Sequence, residues 1–316
     1  MRETKRVEID GTFIAYEERG EGFPIVALHG FSPDRRLMTG SLEPLFDGQD
    51  RAFVPPSAGA RRPEGGRSAR AYRRIYPDLP FMGASGDPET VRDSDGMLEV
   101  VAAFVRAILP DGPFILAGES YGGYLARALL REFGQRVEGL FLLCPAVVAE
   151  GPERTVPPRE VLVAEEGYAA DADPESLAMF EEVAVIRDRY CLRRFGEEIR
   201  PGLVAARMDR LEALRSRGYS FSFDRLGRPG ADGGEPDSGG PFDPFFDRPG
   251  LFVLGRQDAS VGWSDALRLA PRYPRAAFAV LDAAGHNAQI EQAGLMATLA
   301  GEWLGRCEAV SAGGRR

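Results

Sequence analysis

Lysine is almost missing from this chain: Lys5 is the only one in 316 residues, and arginine carries nearly all the positive charge. Acids outnumber bases by 48 to 39, giving a net charge of -9 at pH 7. The arginines are scattered, so there is no basic footprint for nucleic acid or an anionic membrane, and neither partner is expected. The three cysteines, Cys144, Cys191 and Cys307, are too few and too far apart for a disulfide framework or for metal-ligand spacing. They read as free thiols in a reducing compartment. No apolar run approaches the roughly 18 residues of a membrane span, and the opening MRETKRVEIDG has no apolar stretch of the secretory kind. A cytoplasmic protein is expected. Histidine is scarce as well, with only His29 and His286.

What is present is ordinary globular composition, 44% hydrophobic and 28% charged, in a chain long enough to bury a large core unaided. Val7–Ile9 and Thr12–Tyr16 flank Asp10-Gly11, a two-residue hairpin signal. Short apolar runs follow at 24–28, 74–76, 114–117, 140–143, 251–254 and 277–281, the pattern of strands buried on both faces. Helical segments separate them: one opening at Asp87-Pro88-Glu89 toward Leu109, and others at 121–133, 262–272 and 290–306. Strand and helix in alternation imply a mostly parallel sheet covered on both faces.

The rhythm stops between Leu143 and Leu251, where 175–195 and 203–217 look helical and no buried-type strand intervenes. The expected organisation is a core of 1–144 and 248–316 with a helical cap at 145–247. Within the cap, 226–241 is rich in Gly, Pro and Asp and reads as a flexible loop; 55–70 reads as a surface insertion of the same character.

Gly118-Glu119-Ser120-Tyr121-Gly122 follows a buried strand and opens a helix, the setting of a nucleophile elbow, in which a strained turn lifts the serine and bulky neighbours would clash. A serine hydroxyl needs a base. His286, just beyond the last strand, is the candidate, which puts the residues in the chain order Ser, acid, His. For the acid, Asp258 lies after the penultimate strand and would fix the imidazole tautomer; Asp282 is its rival. His29-Gly30-Phe31 follows the first buried strand, so the N–H groups of Phe31 and Tyr121 would form an oxyanion hole.

These pieces, with Tyr76-Pro77-Asp78-Leu79-Pro80, Gly255 to Asp258 and Gly285-His286, resemble the α/β-hydrolase superfamily, most closely its branch of ring-cleavage-product carbon–carbon hydrolases, proline iminopeptidases and small-ester hydrolases. The resemblance covers 5–144 and 248–306 and implies an α/β-hydrolase fold and a serine hydrolase acting through an acyl-enzyme, with no cofactor and no metal. Where many relatives have Pro-Gly-x-Gly this chain has Pro80-Phe81-Met82-Gly83, and Asn287 stands where the carbon–carbon hydrolases often carry Trp. His29, Gly30, Glu119, Phe81 and Met82 are expected around a pocket for a hydrophobic small molecule. Ester, carbon–carbon or amide cleavage, a non-hydrolytic use of the same groups, a ligand-binding scaffold and a homodimer all stay open. Glu165-Glu166 and Glu181-Glu182 could meet a substrate amine, although paired acids on helices are usually solvated.

Overall fold

A computed structural model of the protein describes residues 3–46, 70–225 and 244–313. Ten strands appear in chain order: β1 Lys5–Ile9, β2 Thr12–Arg19, β3 Phe23–Leu28, β4 Tyr72–Pro77, β5 Phe114–Glu119, β6 Val137–Leu143, β7 Val163–Ala164, β8 Ile186–Arg187, β9 Gly250–Gly255 and β10 Ala276–Leu281. Eight of them form one sheet in the order β1-β2-β4-β3-β5-β6-β9-β10. The hairpin β1–β2 is antiparallel, β2 pairs antiparallel with β4, and every pair from β4 to β10 is parallel. This is the α/β-hydrolase fold. Asp10 and Gly11 both take left-handed backbone, with φ of 44° and 81°, which matches the right-handed strand twist at a two-residue turn.

Helices cover both sides of the parallel strands, so Val26, Ala27, Leu28, Ile115, Leu116 and Ala117 in β3 and β5 are fully buried. Burying each large side chain of this kind stabilises the fold by about 1.5–3 kcal/mol. None of the helices among the described residues is long and apolar enough to cross a membrane.

The helix expected from Asp87 begins instead at Ser94, where the Asp93 side chain accepts from the Gly96 N–H. Asp87 pairs with Arg207 and Arg210 from the insertion between β6 and β9. The expected 262–272 helix is one turn, Ser264–Leu267, followed by a tight turn Ala270–Arg272 that holds Pro271. The last helix is split by Gln292 into Ala288–Glu291 and Ala293–Gly313. Within the insertion, the expected 175–195 helix is two, Pro174–Glu181 and Arg189–Glu198, capped by Asp173 and Asp188. Between them runs β8, which pairs with β7 as a separate parallel ribbon. The expected loop 226–241 and all of 55–70 except Arg70 lie outside the described residues.

Aromatic side chains form one part of the contact between the insertion and the core. Phe221 stacks on Tyr124 with centroids 4.4 Å apart and planes 9° apart. Tyr219 approaches Phe31 at 5.1 Å and Tyr121 at 5.5 Å.

Candidate active site

β5 ends at Glu119 and a helix starts at once with Ser120, whose φ of 50° is left-handed. A non-glycine residue held there costs about 1–3 kcal/mol, and such strain persists only where the surroundings fix it. Here they do. A Cβ at Gly118 would collide with the backbone of Gly122, and one at Gly122 with the carbonyl oxygens of Leu28 and His29. Gly30 is equally constrained, since a Cβ there would run into the Glu119 carboxylate and come within 2.9 Å of the Ser120 Cβ. The 30–31 backbone therefore passes directly beside the serine.

The Ser120 hydroxyl lies 3.0 Å from His286 Nε2, and His286 Nδ1 lies 2.9 Å from Asp258 Oδ2. Asp258 is fully buried; its other oxygen accepts from the Ser260 and Val261 N–H groups at 2.8 and 3.0 Å. The His286 side chain keeps 20% exposure, so one face is open to solvent. Two backbone hydrogen bonds, Arg256 N–H to Leu281 O and Gln257 N–H to Ala284 O, both 2.9 Å, join the loop carrying the acid to the loop carrying the imidazole. A side chain at Gly255 would block that approach, because its Cβ would strike the carbonyl oxygens of Ala284 and Gly285. Asp282 takes no part: it is exposed and accepts from Gln257 Nε2 at 2.9 Å.

A second carboxylate reaches the imidazole. Glu119 Oε1 is 3.4 Å from His286 Nε2, while Glu119 Oε2 has no hydrogen-bond partner. Burial pushes the Glu119 carboxyl up to about 7, against the attraction of His286. Burial alone would lower the His286 pKa, but the charge and hydrogen bond of Asp258, with the charge of Glu119, raise it to about 9.

Phe31 and Tyr121 meet edge to face at 5.4 Å. Tyr121 is the second residue of its helix, so its N–H has no acceptor within that helix. The remaining expected pocket residues have other tasks. His29 is fully buried, with Nδ1 2.8 Å from Gly30 O while Nε2 accepts from the Leu79 N–H at 2.9 Å. This bonding makes Nδ1 the protonated nitrogen, and burial lowers the pKa. His29 ties two loops together. Phe81 and Met82 are buried as well. The Phe81 carbonyl accepts from the Arg207 N–H at 2.8 Å, and Met82 Sδ faces the Ser32 N–H at 3.2 Å.

The cavity of about 160 Å³ that reaches His286 includes none of His29, Gly30, Glu119, Phe81 and Met82 in its lining. Its core side is Gln257, Ala259, Ser260 and His286, and its insertion side includes Glu181, Glu182 and Arg187. Charged groups line this mouth, beside the hydrophobic small molecule expected from the sequence. Glu181 is bonded to Tyr168 and to Arg187. Two further residues had no local signal. Arg154, from the insertion, donates to the carbonyls of Val148, Ala149 and Ser260 at 2.9, 2.7 and 3.1 Å and stands 6.0 Å from the Tyr219 ring. Burial lowers its pKa, and its charge opposes protonation of His286. Tyr219 completes the aromatic face over Phe31.

Cys144, Asp258 and His286 offer ligand atoms within 4.8 Å of one another. Burial holds the Cys144 thiol pKa well above its ordinary value, and Asp258 and His286 already satisfy each other.

A family model for the alpha/beta hydrolase fold matches residues 61–293, and the chain belongs to that family. It is a hydrolytic enzyme. It is similar to an alpha/beta superfamily hydrolase from Oenococcus oeni, at 27% identity and a TM-score of 0.78, covering 96% of this chain and 99% of that one. A thermophilic esterase from Thermogutta terrifontis shares the fold at 22% identity and a TM-score of 0.61, with 97% and 99% covered. A meta-cleavage product hydrolase from Pseudomonas fluorescens does so at 21% and 0.58, with 95% and 97% covered. Among curated proteins, a non-reducing polyketide synthase from Aspergillus terreus is 34% identical over 99 residues, which span 26% of this chain and 5% of that synthase.

Proposed function

We propose that this enzyme is a serine hydrolase that cleaves an ester or related carbonyl bond of a small molecule through an acyl-enzyme on Ser120. The observation that carries the reading is the unbroken line from Ser120 Oγ to His286 Nε2 at 3.0 Å and from His286 Nδ1 to the buried Asp258 at 2.9 Å. As the Ser120 oxygen attacks the carbonyl carbon, its proton passes to His286 Nε2, and Asp258 stabilises the imidazolium. The backbone N–H groups of Phe31 and Tyr121 face the developing oxyanion, a contribution of about 3 kcal/mol per donor. His286 then protonates the leaving group. Water deprotonated by His286 attacks the acyl carbon and returns the serine.

The aromatic face of Phe31, Tyr121 and Tyr219 suits an apolar part of the substrate, and the cavity beside His286, walled by Val183, Ala184 and Val185 with Glu181, Glu182 and Arg187 among its lining, suits an acyl chain that can end in a polar group. No step draws on a metal or cofactor. Hydrolysis of p-nitrophenyl esters of increasing acyl length tests the reading. Wild type should turn them over with a chain-length optimum. Retention of that turnover in Ser120→Ala would rule the mechanism out.

A further inference from the structure

Glu291 reads in the sequence as one more helical acid, yet it is only 8% exposed. It ends the one-turn helix that follows His286, and its carboxylate is spent on main chain. One oxygen accepts from the Gly285 N–H at 2.6 Å, the residue immediately before His286. The other accepts from Val185 at 2.6 Å and Ile186 at 3.2 Å, in the β8 segment of the insertion. Three N–H groups on one buried carboxylate make strong charge-assisted bonds, and removing the acceptor leaves each of them unsatisfied.

The segment so held is a wall of the cavity. Val185 O in turn accepts from the Leu162 and Val163 N–H groups, which locks β7 to β8. Residues 159–161, 181–185 and Arg187 in and beside that ribbon line the space that opens on His286. Among the described residues, the hydrogen bonds that tie 159–187 to the core strands and their loops both end on Glu291. Gly285 fits the same junction: a Cβ there would press on the Val185 side chain at 2.8 Å.

We infer that Glu291 is a positioning residue that docks the β7–β8 ribbon onto the His286 loop, so that one carboxylate sets both the imidazole's backbone and the substrate-facing wall beside it. This inference rests on the proposed role of His286 and on the neighbouring cavity as the site for the acyl chain. It assigns Glu291 a part in substrate selection, because loosening the ribbon weakens the hold on a long acyl group more than on a short one.

The test compares wild type, Glu291→Gln and Glu291→Ala on p-nitrophenyl acetate and hexanoate, with amide hydrogen exchange followed in 159–187 and, as control, in β5. In both variants exchange across 159–187 should quicken at least tenfold while β5 keeps its protection. The hexanoate-to-acetate ratio of kcat/KM should fall at least fivefold, mainly through KM. Unchanged exchange and an unchanged ratio would overturn the inference. So would equal losses on both esters with β5 protection falling in step, since that is the pattern of a general stabiliser. Glu291→Gln, which keeps the side-chain shape, carries the test should Glu291→Ala fail to fold. Ester turnover surviving in Ser120→Ala would remove the proposed function, whereas the exchange comparison would still decide the docking role.

Discussion

The parallel core and the insertion between β6 and β9 are built on opposite plans. In the core, β5 and β9 are buried along their whole length, and Ser120 follows the end of β5 directly while the loops after β9 and β10 bring Asp258 and His286 to it. In the insertion, helices are short, β7 is exposed, and Val161, Leu162 and Val163 face outward. Specific contacts tie the insertion to the core, among them Phe221 on Tyr124, Arg207 and Arg210 on Asp87, Ser222 on Asp95, and the β8 backbone on Glu291. A rigid sheet fixes reacting groups to within tenths of an ångström, whereas a loosely tied segment can vary with the substrate. The proposed division is chemistry in the core and selection in the insertion.

That division can be broken at several points, beginning with the largest effect. Asp258→Asn should lower kcat by roughly 10⁴-fold, because the amide favours the wrong imidazole tautomer; Asp282→Asn, at the exposed rival acid, should leave kcat within about twofold. Steady-state assays of the two side by side decide which carboxylate serves His286. A core truncation, Leu116→Ala, should cost about 3 kcal/mol of unfolding free energy in denaturant titration.

The pH profile gives a subtler effect. His286 must be neutral to accept the serine proton, and its raised pKa of about 9 places the rising limb of kcat/KM on the alkaline side of an ordinary histidine. Glu119→Gln removes a carboxylate 3.4 Å from Nε2, so the limb should move toward acid by about one pH unit. A limb that stays in place would show that Asp258 alone sets the imidazole. The smallest effect is expected in the insertion. Tyr219→Ala should raise KM for aromatic esters about fivefold, the worth of one aromatic contact near 1 kcal/mol, with kcat for acetate esters unchanged.

The sequence made the core legible because its signals are local. Asp10-Gly11 marks the hairpin, and a glycine two residues either side of Ser120 marks a turn that tolerates no side chain. Asp258 was favoured over Asp282 by its place after the penultimate strand, and the geometry brings Asp258 to His286. Helix boundaries were read less well. Asp87 followed by Pro88 reads as a cap, but in the fold Asp87 pairs with the arginines at 207 and 210, far along the chain, and Asp93 caps the helix. Phe81, standing where relatives carry a glycine, and Met82 beside it read as crowding or lining a pocket, and tertiary packing buries both. Glu291 and Arg154 were invisible for one reason: their partners are backbone groups brought near by folding, and main-chain acceptors and donors leave no trace in a sequence.

The central claim is that Ser120 is the nucleophile and His286 its base. The direct measurement is reaction of the folded protein with a fluorophosphonate, with the adduct mapped by peptide mass spectrometry. One adduct is expected, on the peptide containing Gly118 to Gly123, formed far more slowly in His286→Ala and absent in Ser120→Ala. An adduct on another residue, or none on folded wild-type protein, would contradict it.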